Sequence, residues 1–468
     1  MRRLLIILLL MGVGRMTAQG KPMNMLDQIN NELKGITKIE SVNSHRFGKA
    51  RNVELFRLSN GLEVLALIDD SAPVFSYQTW FKVGSADEEP GKTGLAHLME
   101  HLMFKGTPRH PGEVFDRMLE EAGAQTNAAT WIDWTFYYEN LPKGKLDLVT
   151  MLESDRMRNL APKEADFKKE LEVVKNERRF RVDNDPDGKS EEILFKEVFG
   201  EHPYGHPTIG WMKDLDGMSL KDAMAFYRRY YSPSNAVIVV VGDVDLKRLL
   251  TLIGKRYGTI KGIQVKRKRP VAASVRTYKP IDETRTMEFE VATQSVTCIF
   301  TGPSINQKSA YAANVLGEVL FGMDSSRLEQ KLVEEMGIAD GVDGMFEAMR
   351  QAGFMMIQVT MKPGHDAKEA LRVIASELKA ISEKGLTNEE LEKARNLTEA
   401  DLVKGRITKS SVAGQLGFLQ VTAGDYRKFF EQLDGIRSVD DKAIQNVVRK
   451  YFMPSNMDRL ILLPRGKK

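Results

Sequence analysis

The sequence is poor in cysteine, which limits how the protein can be held together. Cys298 is the only cysteine among 468 residues, so no disulfide can form within one chain. Stability in an oxidising compartment would therefore have to come from packing. The residues around it, 295–300, are mostly apolar, which favours a buried strand thiol over a nucleophile.

The sequence also lacks a strong net charge. Its formal charge is +4, and because the first twenty residues hold three arginines and no acid, the remainder carries +1. Binding to nucleic acid depends on a basic surface that neutralises phosphates, so we expect no nucleic-acid partner. The one basic run, residues 266–269, precedes Pro270 and is interpreted as a solvated linker.

Long apolar runs are absent apart from one at the N-terminus. Two arginines precede an apolar run over residues 4–13, and small residues follow up to Gly20. This order is typical of a secretory signal peptide, and the run is too short to span a bilayer comfortably. We therefore expect residues 1–20 to be removed on export and the mature chain, without a transmembrane helix, to be periplasmic or secreted. The alternative is an N-terminal helix that stays on the chain.

The chain is long enough for more than one domain, and two of its stretches resemble each other. A helix-like segment from Leu220 leads into Pro233 and an apolar run, and one from Lys442 leads into Pro454 and a similar run. Both are predicted to be a helix, a proline-containing turn and a buried strand. Such a repeat predicts two related halves of about 210 residues each.

The predicted halves are separated by a linker rich in lysine, arginine and proline. The first half opens with two apolar runs around Asn60 and Gly61, a hairpin signal in which both turn positions need positive φ. Strands and helices are mixed in each half, which predicts an α+β fold. The predicted segments are an N-terminal extension without a readable pattern over 21–50, a first half over 51–262, the linker over 263–283, and a second half over 284–468.

The candidate chemistry centres on His97, Glu100 and His101. Histidines four residues apart lie on one face of a helix and can chelate one metal ion. Glu100 shares that side and can reach a water molecule on the metal without being a ligand, as a general base must. The pattern is that of the inverzincins. The alternative is an amphipathic helix with histidines near its polar edge, but the chain has only seven histidines, which favours the metal site.

Two further segments hold possible ligands. Glu170 and Glu177 are seven residues apart, hence on one helical face, and a catalytic zinc needs a third protein ligand. From spacing alone Glu177 is interpreted as a solvated helix residue, and many other glutamates fit as well. His202 and His206 repeat the four-residue spacing, but the prolines and glycine between and beside them predict a loop.

Several stretches together resemble the family of pitrilysin, insulinase and the mitochondrial processing peptidase, in particular its shorter two-domain members. The resemblance covers nearly all of the chain from about residue 51. It implies two homologous mixed α/β-roll halves that face each other around a chamber. Besides the metal motif, the matching stretches are residues 123–130, 176–177, 202–210, 231–236 and 242–244.

The resemblance also implies roles for individual residues. It implies one zinc ion per chain, bound by His97, His101 and Glu177, with Glu100 as the general base. Glu170 would orient a ligand from outside the first coordination shell.

The strand around Asn127 and Ala128 would receive an extended peptide substrate as an added strand. From sequence alone, Asn127 is equally a turn asparagine.

One departure from the family concerns the second half. Active members carry an arginine and, seven residues later, a tyrosine that hold substrate and the developing oxyanion. Val333 and Asp340 stand at these positions here, and neither can do that work. We therefore expect a heterodimer in which a homologous subunit supplies the Arg and Tyr.

The predicted function is peptide-bond hydrolysis by a zinc metalloendopeptidase acting on extended peptides. The alternative is a non-catalytic assembly or binding subunit of the same fold, which the loss of the Arg and Tyr favours. The complete set of metal-binding and acid–base residues favours the enzyme, because a structural descendant would have no chemical need for it.

Overall fold

The structure, a computed structural model, describes residues 24–265 and 283–465. The predicted signal peptide and most of the predicted linker lie outside the described residues. Within the described residues, no helix is both long enough and apolar enough to cross a membrane.

Residues 24–265 form the first half, which is built on one sheet. Its strands are β1 (Ile39–Phe47), β2 (Arg51–Leu58), β3 (Glu63–Ile68), β4 (Val74–Phe81), β5 (Gln125–Thr130), β6 (Thr135–Pro142) and β7 (Ala236–Gly242). Its helices are α1 (Met25–Glu32), α2 (Leu95–Met103), α3 (Gly112–Glu121), α4 (Leu146–Asn159), α5 (Glu164–Arg178), α6 (Pro186–Phe199), α7 (Met212–Asp216), α8 (Leu220–Tyr230) and α9 (Leu246–Tyr257).

Residues 283–465 form the second half, built on a sheet of its own. Its strands are β8 (Arg285–Phe289), β9 (Ser295–Gly302), β10 (Ala339–Ala348), β11 (Gly353–Met361) and β12 (Asp458–Pro464). Its helices are α10 (Ser309–Leu320), α11 (Arg327–Glu329), α12 (Ala367–Lys384), α13 (Asn388–Lys404), α14 (Lys409–Phe418), α15 (Lys428–Arg437) and α16 (Asp441–Tyr451).

Both halves repeat one arrangement of five strands. The first sheet has the order β1-β2-β3-β7-β4-β6-β5, and the second has β8-β12-β9-β11-β10. The last five strands of the first order correspond, one by one, to the five strands of the second. The strand that follows the repeated proline turn, β7 or β12, is parallel to one neighbour and antiparallel to the other. The predicted order of helix, proline turn and strand therefore occurs twice, and the prediction of two homologous α+β halves is confirmed.

The start of the first half differs from its prediction. From Met25 onward, the segment predicted to be an extension folds as α1 and β1, with β1 antiparallel to β2. Ile29 and Ile39 of this segment lie in the core of the first half. The segment is therefore part of the first half, and β1 is an edge strand of its sheet.

The predicted hairpin around Asn60 is present, but its turn is of another kind. Leu58 N donates to Leu62 O at 2.9 Å, which closes a three-residue loop in which Gly61 alone has positive φ, at 90°. A loop of this length needs positive φ at its last position only. The Asn60 side chain instead donates to the carbonyls of Tyr257 and Ile260 and ties the hairpin to the end of α9.

The halves pack against each other through two apolar clusters. The first sheet carries helices of its own half on one face, while α14 of the second half packs on β4 and β7 at the other. A second cluster joins Phe195 and Ile132 of the first half to Phe354 and Leu462 of the second. Cys298 lies on β9 and is fully buried, as predicted for a strand thiol.

A charged cluster is buried in the first half beneath the C-terminal end of α2. Arg156 lies 2.6 Å from Glu153 and 3.5 Å from Glu139, and all three side chains are inaccessible to solvent. The Arg156 guanidinium also covers the rings of Tyr137 on β6 and Phe104 at the end of α2. Burial, and then the Glu153 charge, raise the pKa of Glu139 well above its usual value, which favours the neutral form of Glu139.

This asymmetry predicts unequal effects of two isosteric substitutions. Glu139→Gln replaces a neutral acid by a neutral amide and should change the free energy of unfolding little. Glu153→Gln removes the closer, charged partner of the buried Arg156 and should cost more, up to about 3–5 kcal/mol. Urea unfolding of the two variants measures the difference, and equal losses, or a larger loss for Glu139→Gln, would contradict the assignment.

Candidate metal centre

The metal motif lies on α2, whose start is fixed by a buried carboxylate. Glu88 accepts hydrogen bonds from the backbone N–H groups of Gly94 at 2.8 Å and Ala96 at 2.7 Å. These are among the first N–H groups of the helix, which have no partner within it. The apolar side of α2, including Leu98 and Leu102, is buried in the core of the first half. The opposite side therefore presents the motif to the site.

The structure brings His97 and His101 of α2 together with Glu177 of α5. Glu177 Oε2 lies 3.6 Å from His97 Nε2 and 3.5 Å from His101 Nε2. Tetrahedral zinc with bonds near 2.1 Å separates its ligand atoms by about 3.4 Å. One donor atom from each of the three residues lies within 4.8 Å of the others. The three residues therefore fit a zinc ion without rearrangement of the backbone.

His101 is oriented by a second carboxylate. Its Nδ1 lies 3.4 Å from Glu170 Oε2, and the other oxygen of Glu170 lies 2.7 Å from Lys105 Nζ. A proton on Nδ1, directed at Glu170, would leave Nε2 as the metal-binding atom, which is the usual arrangement of a metal-bound histidine. Glu170 therefore lies next to His101 and outside the group of three residues that fits one metal ion.

The protonation states suit metal binding. Burial and the neighbouring His101 lower the pKa of His97 to about 4, so its imidazole is neutral at neutral pH. A hydrogen bond from His101 lowers the pKa of Glu177 and favours its carboxylate form. Burial opposes a charge on His101, but its contacts with Glu177 and the Glu100 charge raise its pKa overall. Metal binding at His101 requires Nε2 without a proton and would therefore compete with protonation of the ring.

Glu100 lies beside the three residues but outside the group that can hold one ion. Burial raises the pKa of its carboxyl, while the Thr130 side chain and the charges of His101 and Arg181 lower it. The Thr130 hydroxyl is buried and lies close to this carboxyl without a well-formed hydrogen bond in the described residues. A carboxylate whose pKa is raised toward neutrality is suited to accept and return a proton.

Asn127 and Ala128 lie on β5, at the edge of the first sheet nearest the site. β5 pairs with β6 alone, so its outer edge is free in the described part of the chain. Asn127 is a strand residue, and its Oδ1 accepts from the Ala128 N–H at 2.8 Å. An edge of this kind can hold an extended peptide by backbone hydrogen bonds.

His97, His101 and Glu177 are called the metal group below. Two of them, His97 and Glu177, lie in the wall of a cavity of about 260 Å³, which Thr130 and Arg181 also help to line. Arg181 also lines an adjoining cavity of about 530 Å³, whose far wall is formed by Thr297, Met356 and Gln358 of the second half. The site therefore opens toward the space between the two halves.

The remaining candidates are not part of the three-residue metal group, although His206 lines the same cavity as His97 and Glu177. His202 and His206 are loop residues, as predicted. Val333 lies in a π-helical turn, Gln330–Glu335, and packs against the core of the second half, while Asp340 is exposed at the start of β10. Neither carries a group that can donate a hydrogen bond to a substrate carbonyl.

Three residues of the site escape the motif-based prediction, namely Glu88, Thr130 and Arg181. Glu88 contacts the first turn of α2, and Thr130 lies close to Glu100 on the same helix. Both come from other segments of the chain, so no local spacing predicts these contacts. Arg181 stands four residues after Glu177, one helical turn on, and this spacing is the one signal from which it could have been found.

Comparison with known proteins gives the same family for both halves. Residues 64–210 match the family model described as insulinase (peptidase family M16), and residues 217–398 match the peptidase M16 inactive domain. The chain is 28% identical to the zinc protease PqqE of Helicobacter pylori over 88% of this chain and 93% of that protein. It is 24% identical to the uncharacterized zinc protease YmxG of Bacillus subtilis over 86% and 96% of the two chains.

Solved structures show the same fold. The crystal structure of a protease from Helicobacter pylori superposes with a TM-score of 0.82 at 27% identity and covers 92% of this chain and all of that one. A peptidase M16 inactive domain from Pseudomonas fluorescens superposes with a TM-score of 0.78 at 17% identity, covering 89% of this chain and 99% of that chain. With its two matched domains, its fold and its zinc-protease relatives, the chain belongs to the pitrilysin and insulinase family of M16 peptidases.

Proposed function

We propose that this chain is a zinc metalloendopeptidase that hydrolyses extended peptides, with one zinc ion bound by His97, His101 and Glu177. The observation that carries the proposal is the spacing of these three donor atoms, with Glu100 on the same helix and free to act. A bound zinc ion would lower the pKa of its water to about 7 and polarise the scissile carbonyl.

In the proposed reaction, Glu100 moves the proton. Its carboxylate accepts a proton from the attacking water as the water oxygen forms a bond to the carbonyl carbon. The C–N bond then breaks, and Glu100 delivers the proton to the leaving amine. Glu170 keeps the His101 ring in place during these steps.

The substrate would lie along β5 as an added strand. Ala128 donates its N–H to the Asn127 side chain in the free protein, and a bound peptide carbonyl would replace that acceptor. This mode of binding reads the peptide backbone, so it suits extended segments rather than folded domains. We further propose that the mature protein is exported to the periplasm or secreted.

A second candidate function is that of a non-catalytic assembly or binding subunit. Val333 and Asp340 favour it, because the second half offers no donor at the positions where active relatives use arginine and tyrosine. A heterodimer reconciles the two functions if a homologous subunit supplies the missing pair across the chamber.

The heterodimer proposal predicts a low activity for the isolated chain. Losing even one oxyanion donor typically costs roughly a hundred- to thousandfold in rate. Purified alone, the chain should therefore cleave peptides at least about a hundredfold more slowly than in complex with a homologue that carries Arg and Tyr. Peptide cleavage and light scattering on the same sample provide the measurement.

Robust cleavage by a monomer or homodimer would show that no partner is needed. Zinc binding without cleavage, even with the partner present, would favour the non-catalytic subunit.

A further inference from the structure

The helix that carries Glu177 ends in an unusual turn. α5 passes at Arg179 into a π-helical turn, Arg179–Asp183, closed by a hydrogen bond from Asn184 N to Arg179 O at 2.9 Å. A widened turn of this kind inside a helical segment is rare and is found mostly at functional sites. The turn begins two residues after the metal-binding candidate Glu177.

The widened turn is held by the buried Arg178. Its guanidinium donates to Gly210 O at 2.7 Å and lies 2.5 Å from Glu192 and 3.2 Å from Asp183. Gly188 on α6 also lies against the widened turn. A Cβ at this position would lie 2.0 Å from the Arg181 carbonyl oxygen. The backbone around Arg181 is therefore fixed from both sides.

The fixed turn places the Arg181 guanidinium next to the metal group. Its Nε lies 3.1 Å from Glu177 Oε1, while the other oxygen of Glu177 faces the two histidines. The Arg181 side chain lines both the cavity at the metal group and the adjoining cavity between the halves. It is nevertheless 70% exposed, and its two Nη groups have no partner among the described residues.

The charge of Arg181 acts on three groups of the site, His97, Glu100 and Glu177. Burial is the largest influence on the pKa of His97 and of Glu100, and a hydrogen bond from His101 is the largest on that of Glu177. The Arg181 charge lowers all three pKa values, so the guanidinium is close enough to act on ligands and base alike.

We propose that Arg181 is a catalytic residue that contacts the carbonyl oxygen of the reacting peptide bond and stabilises the negative charge that develops there. The inference rests on the proposed peptidase function. Its planar guanidinium has five donors, of which the contact with Glu177 uses one, so others remain for a substrate oxygen. Arg181 thus supplies a donor from the first half, where Val333 and Asp340 of the second half supply none.

The test uses a phosphinic analogue of a peptide that the wild-type protein cleaves, because the phosphinate resembles the charged tetrahedral state of hydrolysis. In the zinc-loaded protein, with any partner that copurifies, Arg181→Gln should weaken phosphinic-peptide binding and lower kcat, each by about a hundredfold. Zinc content, KM and binding of the uncleaved parent peptide in a Glu100→Gln background should change little. Arg181→Lys should restore part of the loss.

Arg179 provides the matched control. It is exposed on the same turn, donates to Asn176 Oδ1 at 2.6 Å, and is not among the residues that line either cavity. Arg179→Gln makes the same change of charge and should leave phosphinic-peptide binding and kcat unaltered.

Three results would overturn the role of Arg181 while leaving the proposed function intact. They are unchanged phosphinic-peptide binding by Arg181→Gln, equal weakening of the phosphinic and parent peptides, and loss of zinc. A wild-type protein that binds the phosphinic peptide equally well with and without zinc would instead overturn the proposed function, and the role of Arg181 with it.

Discussion

Replacing Glu100 by glutamine should lower peptide cleavage by at least about a hundredfold while zinc stays bound. The amide has nearly the shape of the carboxylate but cannot accept a proton, so the substitution removes general-base catalysis and little else. Glu100 is outside the group of three residues that fits a metal ion, so the metal should be retained. Steady-state cleavage and zinc content, measured on the same preparation, give both quantities.

A matched control for this substitution lies on α5. Glu172 is an exposed residue paired with Lys175, and Glu172→Gln makes the same change of charge away from the site. It should leave the cleavage rate unaltered. Near-normal turnover by a folded, zinc-loaded Glu100→Gln variant would refute the role of Glu100 as general base.

Replacing His101 by alanine should remove the zinc. The substitution takes away one of three protein ligands and leaves Glu170 without the ring that it orients. Loss of a residue outside the ligand set typically weakens metal affinity by roughly 10- to 100-fold, so loss of a ligand should cost more. Competition with a zinc chelator of known affinity measures the change.

A graded series of variants sharpens this measurement. Glu177→Gln should weaken zinc binding less than His101→Ala, because an amide oxygen remains as a poorer ligand. Glu170→Gln should fall in the range of roughly 10- to 100-fold. His110, which contacts Asp155 at 2.8 Å and is not part of the metal group, is the control, and His110→Ala should keep its zinc. Full zinc content in His101→Ala would rule out the site.

The features that the sequence predicts are those with a local pattern. The spacing of His97, Glu100 and His101 predicts one helical face, and α2 presents it as expected. The repeated proline turns predict two halves, because each repeat spans a helix and the strand that follows it along the chain. The position of Asn127 and Ala128 on an edge strand came from the family resemblance, since a short polar strand has no apolar alternation to reveal it.

Other features depend on contacts between distant segments, or on charged residues that are buried where their residue type predicts exposure. β1 is an edge strand with mostly exposed, polar residues, and it lacks the alternation that marks a half-buried strand. Glu139, Glu153 and Arg156 would each be assigned to a solvated surface, yet tertiary packing buries them together. The turn that places Arg181 depends on Arg178 meeting a loop at Gly210, which no local spacing encodes.

The central claim is that His97, His101 and Glu177 bind one zinc ion and leave Glu100 free. Diffraction data collected on both sides of the zinc absorption edge, from crystals of the zinc-loaded protein, test it most directly. We expect one anomalous peak per chain, about 2.0–2.2 Å from His97 Nε2, His101 Nε2 and a carboxylate oxygen of Glu177, with Glu100 beyond bonding distance. A peak bound by other side chains, a peak with Glu100 as a ligand, or no peak between α2 and α5 would contradict the claim.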